Sequence, residues 1–287
     1  MVWKRRLWAA ALAIVLSLAA YPMVGAGAKL SDDEMVSAAV EKLKKAKSMQ
    51  AGLRMDLGIE VLGVELEAQA SIKMASDSSP MQLQTVVGTD LGFLGEHTAS
   101  FYGCEKNEKY YLYTKEEKKW VKEEITFAEW NCFNGQYLAS VFLEQIEEPK
   151  LQGTQKVNGK SAYKYNGVIK KEGLQKIILD AKCLELLAKG FQGGLLKTVG
   201  SLLTQEDKIS SLTEKSEDLK VSVWIDKETG YPILCAMDVG DMLNDSFGRL
   251  TGRIGSEEDK STSNKVSLWS GVMITEAKIM IQCGEFK

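Results

Sequence analysis

Between residues 53 and 74 the chain alternates in a way that leaves it one structural use. Leu53, Met55, Leu57, Ile59 and Val61 are separated by Arg54, Asp56, Gly58 and Glu60. Val64, Leu66, Ala68, Ala70, Ile72 and Met74 are separated by Glu65, Glu67, Gln69, Ser71 and Lys73. Successive side chains of a strand point to opposite faces, so each run is a strand with one apolar face, and Leu62-Gly63 supplies the hairpin turn between them. Eleven apolar positions on one side require an antiparallel sheet that is buried on one face and wet on the other.

The flanking segments supply the cover and the rest of the sheet. From Leu30 to about Gln50 the spacing predicts an amphipathic helix. Ser31 and Glu34 form an S-x-x-E capping box, and Val36, Val40, Leu43 and Met49 form the apolar stripe. Short strands follow at Met81–Gly88, Glu96–Cys104, Lys109–Thr114 and Lys119–Glu123. The period then becomes helical, from the capping box Thr126/Glu129 through Phe127, Trp130, Phe133, Tyr137, Val141 and Ile146 to Pro149. Leu151–Val157 and Ser161–Ile169 form a hairpin at Asn158-Gly159. Leu174–Leu203 reads as two helical pieces broken at Gly190 and Gly193-Gly194, Leu219–Ile225 and Tyr231–Val239 as a hairpin, Asp241–Leu250 as a short helix, and Lys265–Gln282 as a last strand region. Roughly ten strands and three or four helices without a long linker make one continuous domain.

Met1–Ala28 has the form of a secretory signal: Lys4-Arg5-Arg6, an apolar run from Leu7 to Ala20, and the small-residue site Ala26-Gly27-Ala28. The expected mature domain is residues 29–287, extracellular or in the cell envelope; the alternative is an uncleaved N-terminal membrane anchor. The whole chain has 36 basic and 39 acidic side chains, and loss of Lys4, Arg5 and Arg6 leaves 33 basic groups. That balance disfavours nucleic acid as a partner. The cysteines, Cys104, Cys132, Cys183, Cys235 and Cys283, are an odd, dispersed set. Two readings stay open for them, up to two disulfides or buried apolar thiols.

Several stretches resemble the LolA and LppX class of lipoprotein and lipid carriers, and more closely its exported Gram-positive relatives. They are Lys47-Ser48-Met49 ahead of the first strand, Tyr110-Tyr111-Leu112-Tyr113 with Lys119-Trp120-Val121, Val157-Asn158-Gly159-Lys160 with Ala162-Tyr163-Lys164-Tyr165, and Val223-Trp224-Ile225-Asp226 running on to Tyr231-Pro232. The resemblance implies an α+β fold: a curved antiparallel half-barrel with α-helices covering its concave face and an apolar cavity between the layers. It also implies acyl-chain binding without covalent chemistry. No cysteine precedes Cys104, so the chain lacks the N-terminal lipid-bearing cysteine of the lipidated members.

Sites for chemistry are sparse. His97 is the only histidine, its setting is that of an ordinary strand residue, and no metal site is expected. Glu65 and Glu67 share a solvated strand face, Gly193-Gly194 lacks the context of a phosphate loop, and Asp226–Gly230 reads as a hairpin turn rather than a calcium loop. No catalytic residue and no cofactor are expected. The candidate ligand-binding residues are Leu57, Ile59, Leu66, Ile72 and Met74 on the first hairpin, with Phe127, Trp130 and Tyr137 closing from above. Scattered methionines, Met55 and Met237 among them, suit either a surface that repacks around apolar ligands or an irregular core. Two kinds of function follow. The first is a non-enzymatic binding protein for a lipid or other apolar small molecule. The second is an envelope protein–protein interaction or sensory partner module with a filled core.

Overall fold

A computed structural model describes residues 30–61, 63–78, 81–90, 95–116, 119–180, 217–244 and 272–284. The chain divides into two compact units, Met1–Ser31 and Asp32–Lys287, and the fold described here is that of the second. Its strands are β1 (Ser48–Val61), β2 (Val64–Ser78), β3 (Met81–Asp90), β4 (Glu96–Lys106), β5 (Lys109–Glu116), β6 (Lys119–Ile125), β7 (Ile146–Val157), β8 (Lys160–Ile169), β9 (Leu219–Asp226), β10 (Pro232–Asp238) and β11 (Val272–Gly284). The helices among the described residues include α1 (Asp32–Lys44), α2 (Phe127–Asn131), α3 (Gly135–Leu143) and α4 (Lys171–Asp180). All eleven strands form one open antiparallel sheet in the order β6-β5-β4-β3-β2-β1-β11-β10-β9-β8-β7.

That order makes the sheet a half-barrel. β6 and β7 follow each other in sequence but form opposite edges. Ten strand spacings of about 4.8 Å would separate them by about 48 Å in a flat sheet. The link between them carries a five-residue and a nine-residue helix, and it reaches about 40 Å even with every other residue extended. The sheet must therefore curl, with α2 and α3 strung across its concave side. A bulge assists the curl at the centre, where the β1–β11 register shifts between Gly58 and Ile59. A β-carbon on Gly58 would lie 2.5 Å from Thr275 Oγ1, so glycine leaves the room that Thr275 takes.

The first hairpin forms as its alternation dictates. Val61 pairs with Val64 and Gly63 adopts φ 83, and direct pairs Leu53/Ile72, Met55/Ala70, Leu57/Ala68 and Ile59/Leu66 place the apolar residues on one face. Asn158-Gly159 turns with φ 51 and 80, as a two-residue hairpin requires. The β4–β5 turn does the same with Asn107 and Glu108, at φ 56 and 62. Edge strand β7 is blunted by Pro149 and two register shifts, edge strand β6 by Lys119 and Lys122.

Two helical expectations are corrected. The first helix ends at Lys44 rather than near Gln50, and Met49 is buried as a strand residue paired with Ser76. Gln136 explains the stop: its Nε2 donates to the carbonyls of Leu43 (2.7 Å) and Ala46 (3.0 Å), satisfying the end of α1. The run from Phe127 to Ile146 is two helices followed by a strand. The Thr126/Glu129 box caps α2 as expected. Asn134 then caps α3 by accepting from Gln136 N at 3.1 Å, and Ile146 begins β7. The helical spacing survives this break because α3 resumes on the same side of the sheet. The expected helical region beyond Asp180, the far end of Asp241–Leu250 and the start of Lys265–Gln282 lie outside the described residues; residues 240–244 are helical.

Candidate functional site

Among the described residues, the concave face of the central strands has a closed end and an open end. At the closed end Ala51, Met74 and Cys283 are buried, and the start of α3 sits directly on them. A β-carbon on Gly135 would stand 2.9 Å from that of Ala51 and 3.0 Å from that of Met74, so only glycine admits this approach. α1 covers the neighbouring strands through Val36, Ala39, Val40 and Leu43, all buried. Its first-turn acids and last-turn lysines suit its dipole, and Lys44 ties it to Glu144 beyond α3.

Among the described residues the cover thins toward the hairpin tip. Met55, Leu57, Ile59, Leu66, Ala68, Ala70 and Ile72 are half-buried, as are Ile274 and Ile279 on β11, which pair with Ile59 and Met55. This apolar floor is continuous across three strands. Its rim is fixed by Asn244, whose side-chain amide accepts from Ile274 N at 2.8 Å and donates to Ile274 O, a strand-like pairing beyond the end of β10. A polar group faces the same layer: Thr89, which pairs with Ala70 and is 9% exposed. Its hydroxyl has no hydrogen-bond partner among the described residues, which is costly in a buried setting.

The expected residues are therefore partly united. Leu57, Ile59, Leu66 and Ile72 share the floor, and Met74 belongs to its closed end. Trp130 is 1% exposed and lies in a second core cluster with Leu83, Phe101, Leu112 and Phe133, over β3 to β5. Phe127, 53% exposed, packs with its ring 5.3 Å from Tyr110, whose other neighbour is Trp130 at 5.4 Å. Ile72 is the floor residue that touches this second cluster. Tyr137 is half-buried on α3. Sequence reading missed Thr89, which lies one residue past the expected end of β3, and Asn244, which no local pattern marks.

The remaining polar groups marked by the sequence lie on strands and turns. His97 lies in β4 opposite Thr89, and Glu65 and Glu67 are exposed. Asp226 is a buried turn acid: its carboxylate accepts from Glu228 N (3.0 Å) and Thr229 Oγ1 (2.8 Å), with Lys160 Nζ at 3.7 Å. Burial pushes its pKa up, but these partners outweigh it and hold the group below the usual aspartate value. Cys104, Cys235 and Cys283 form no disulfide among the described residues, and the Cys132 thiol donates to the Ala128 carbonyl at 3.6 Å; Cys183 lies outside the described residues. Burial pushes Cys283 up to about 12 and Cys235 well above its ordinary value, so both are inert apolar fillers. Among the described residues no cluster of three or more metal-ligating side chains occurs, and no helix is long and apolar enough to cross a membrane.

In structure the chain is similar to LprF from Mycobacterium bovis, at 12% identity and TM-score 0.45 over 89% of this chain and 92% of that one. It is similar to the Mycobacterium tuberculosis lipoprotein LppX at 11% identity and TM-score 0.44, over 89% and 96%. A LolA superfamily protein from Nitrosomonas europaea matches at 8% identity and TM-score 0.25, over 90% and 94%. No family model and no curated protein sequence matches the chain.

Proposed function

We propose that this chain is a non-enzymatic binding protein of the cell envelope that holds a lipid or other apolar ligand against the concave face of its sheet. The half-buried floor carries the reading. Leu57, Ile59, Leu66 and Ile72 face the layer where the helices lie, yet they keep a share of their surface open. An acyl chain laid on them gains about 0.8 kcal/mol per methylene removed from water, and no reacting group is needed. The Thr89 hydroxyl, without a hydrogen-bond partner among the described residues, favours a ligand with a hydrogen-bonding carbonyl or hydroxyl over a plain hydrocarbon. The test is organic extraction of the purified protein and mass spectrometry of what is released. Recovery of a lipid in stoichiometric amount supports the reading. No lipid, together with a melting temperature unmoved by added phospholipid or fatty acid, supports the interaction module with a filled core.

Export through Met1–Ala28 completes the proposal. Intact mass of the secreted protein is expected to place its first residue at Lys29; a membrane-bound product retaining Met1–Ala28 would make the segment an anchor.

A further inference from the structure

The convex side of the β4–β6 edge sorts its residues by type. Phe101, Gly103 and Leu112 face the concave core, so the register turns Tyr102, Tyr111, Tyr113 and Trp120 outward. Trp120 is 53% and Tyr102 39% exposed, and the Tyr102 and Tyr113 rings lie 6.0 Å apart. The same outward positions carry Lys106, Lys109, Lys115 and Lys122, all exposed. The one acid among the outward positions from residue 100 to residue 124 of these strands is Glu124, which pairs with Lys109 at 3.0 Å. Lys122 lies over the Tyr111 ring at 3.7 Å. In a chain whose acids outnumber its bases, 39 to 36, this face is locally cationic.

We infer that this convex face docks on an anionic phospholipid bilayer, with Trp120 and the tyrosines at the headgroup level and the lysines on lipid phosphates. Tyrosine and tryptophan suit that depth because one end of each ring system is apolar and the other hydrogen-bonds. Lysine stems cover apolar surface while their ammonium groups stay in the polar layer, and each is attracted to an anionic leaflet. A soluble polyanion would use the lysines but give the exposed indole no apolar layer to enter, so the aromatic content decides for the bilayer. The face is opposite the apolar floor, and the inference holds whether or not the chain carries a ligand.

The experiment follows Trp120 in the full chain, as the difference in emission between wild type and Trp120→Phe. The probes are vesicles of equal parts phosphatidylglycerol and phosphatidylcholine, with and without bromine on the acyl chains. The Trp120 emission is expected to shift to the blue and to be quenched by the brominated lipid, less so as salt is added. Lys115→Gln with Lys122→Gln is expected to raise the lipid concentration needed by about fivefold for each charge removed. Melting temperatures of both variants report that the sheet is intact. Unchanged Trp120 emission on vesicles that carry the protein down on sedimentation overturns the inference. So does binding to soluble polyphosphate with no response to vesicles.

Discussion

A β-carbon added to Gly103 would stand 2.7 Å from Cζ3 of Trp130 and 2.8 Å from Leu83; the indole and the isobutyl group together fill the space that this glycine leaves on β4. Gly103→Ala is expected to lower stability by about 1–3 kcal/mol, because a packed core resists added volume. Gly52→Ala is the matched control, since nothing lies within 4 Å of a β-carbon there. Thermal melts of the two variants would check this: a loss at position 103 with none at 52 is the expected pattern.

The two ends of the floor on β2 should separate on truncation. Ile72 packs against both core clusters, and Ile72→Ala is expected to cost about 2–4 kcal/mol. Leu66, half-buried nearer the open end, is expected to cost about 1 kcal/mol as Ala. Its main effect should be on ligand binding. Denaturant titration and lipid binding, measured on the same two variants, give both numbers.

Thr89→Val is expected to leave the ligand-free protein as stable as wild type or more so, because it replaces a buried hydroxyl without a described partner by an isosteric methyl. If a ligand's carbonyl or hydroxyl meets that group, the variant binds lipid more weakly while binding plain hydrocarbon unchanged. Isothermal titration with both kinds of ligand distinguishes the outcomes.

Asp226 gives a pH dependence with a definite sign. Its pKa is depressed in the folded chain, so its carboxylate stabilises the fold above the unfolded value near pH 4 and loses that effect as pH falls through the lower folded value. The stability difference between wild type and Asp226→Asn should be full at neutral pH and shrink below about pH 4. Chemical denaturation at a series of pH values measures it.

What the sequence disclosed was local. Strict alternation marked the face of each residue from 53 to 61 in β1 and from 64 to 74 in β2, and Thr126/Glu129 and Asn158-Gly159 each named their own cap and turn. The break at Asn134 was hidden because a three-residue turn between helices on one face preserves an i, i+3, i+4 spacing. The placement of Trp130 was hidden for a different reason. Its helical spacing showed that it faces the sheet, but the strands beneath it depend on a strand order that no local pattern carries. Leu66 and Ile72 illustrate the same limit, since they read alike in sequence and differ in what lies over them.

The central seam of the sheet joins the first strand to the last, β1 to β11. During synthesis β2 to β6 can add to one side of β1 in turn, but its other side waits until residues 272–284 have been made. The long closure between these strands is also the slow kind, because chain entropy must be lost before any contact rewards it. The nascent sheet thus stays unfinished at its centre until residues 272–284 have emerged. A chain cut before residue 272 would present β1, apolar along one face and without a hydrogen-bonding neighbour on one side, to every other copy in solution, so such a truncation would gather into aggregates instead of yielding a smaller protein.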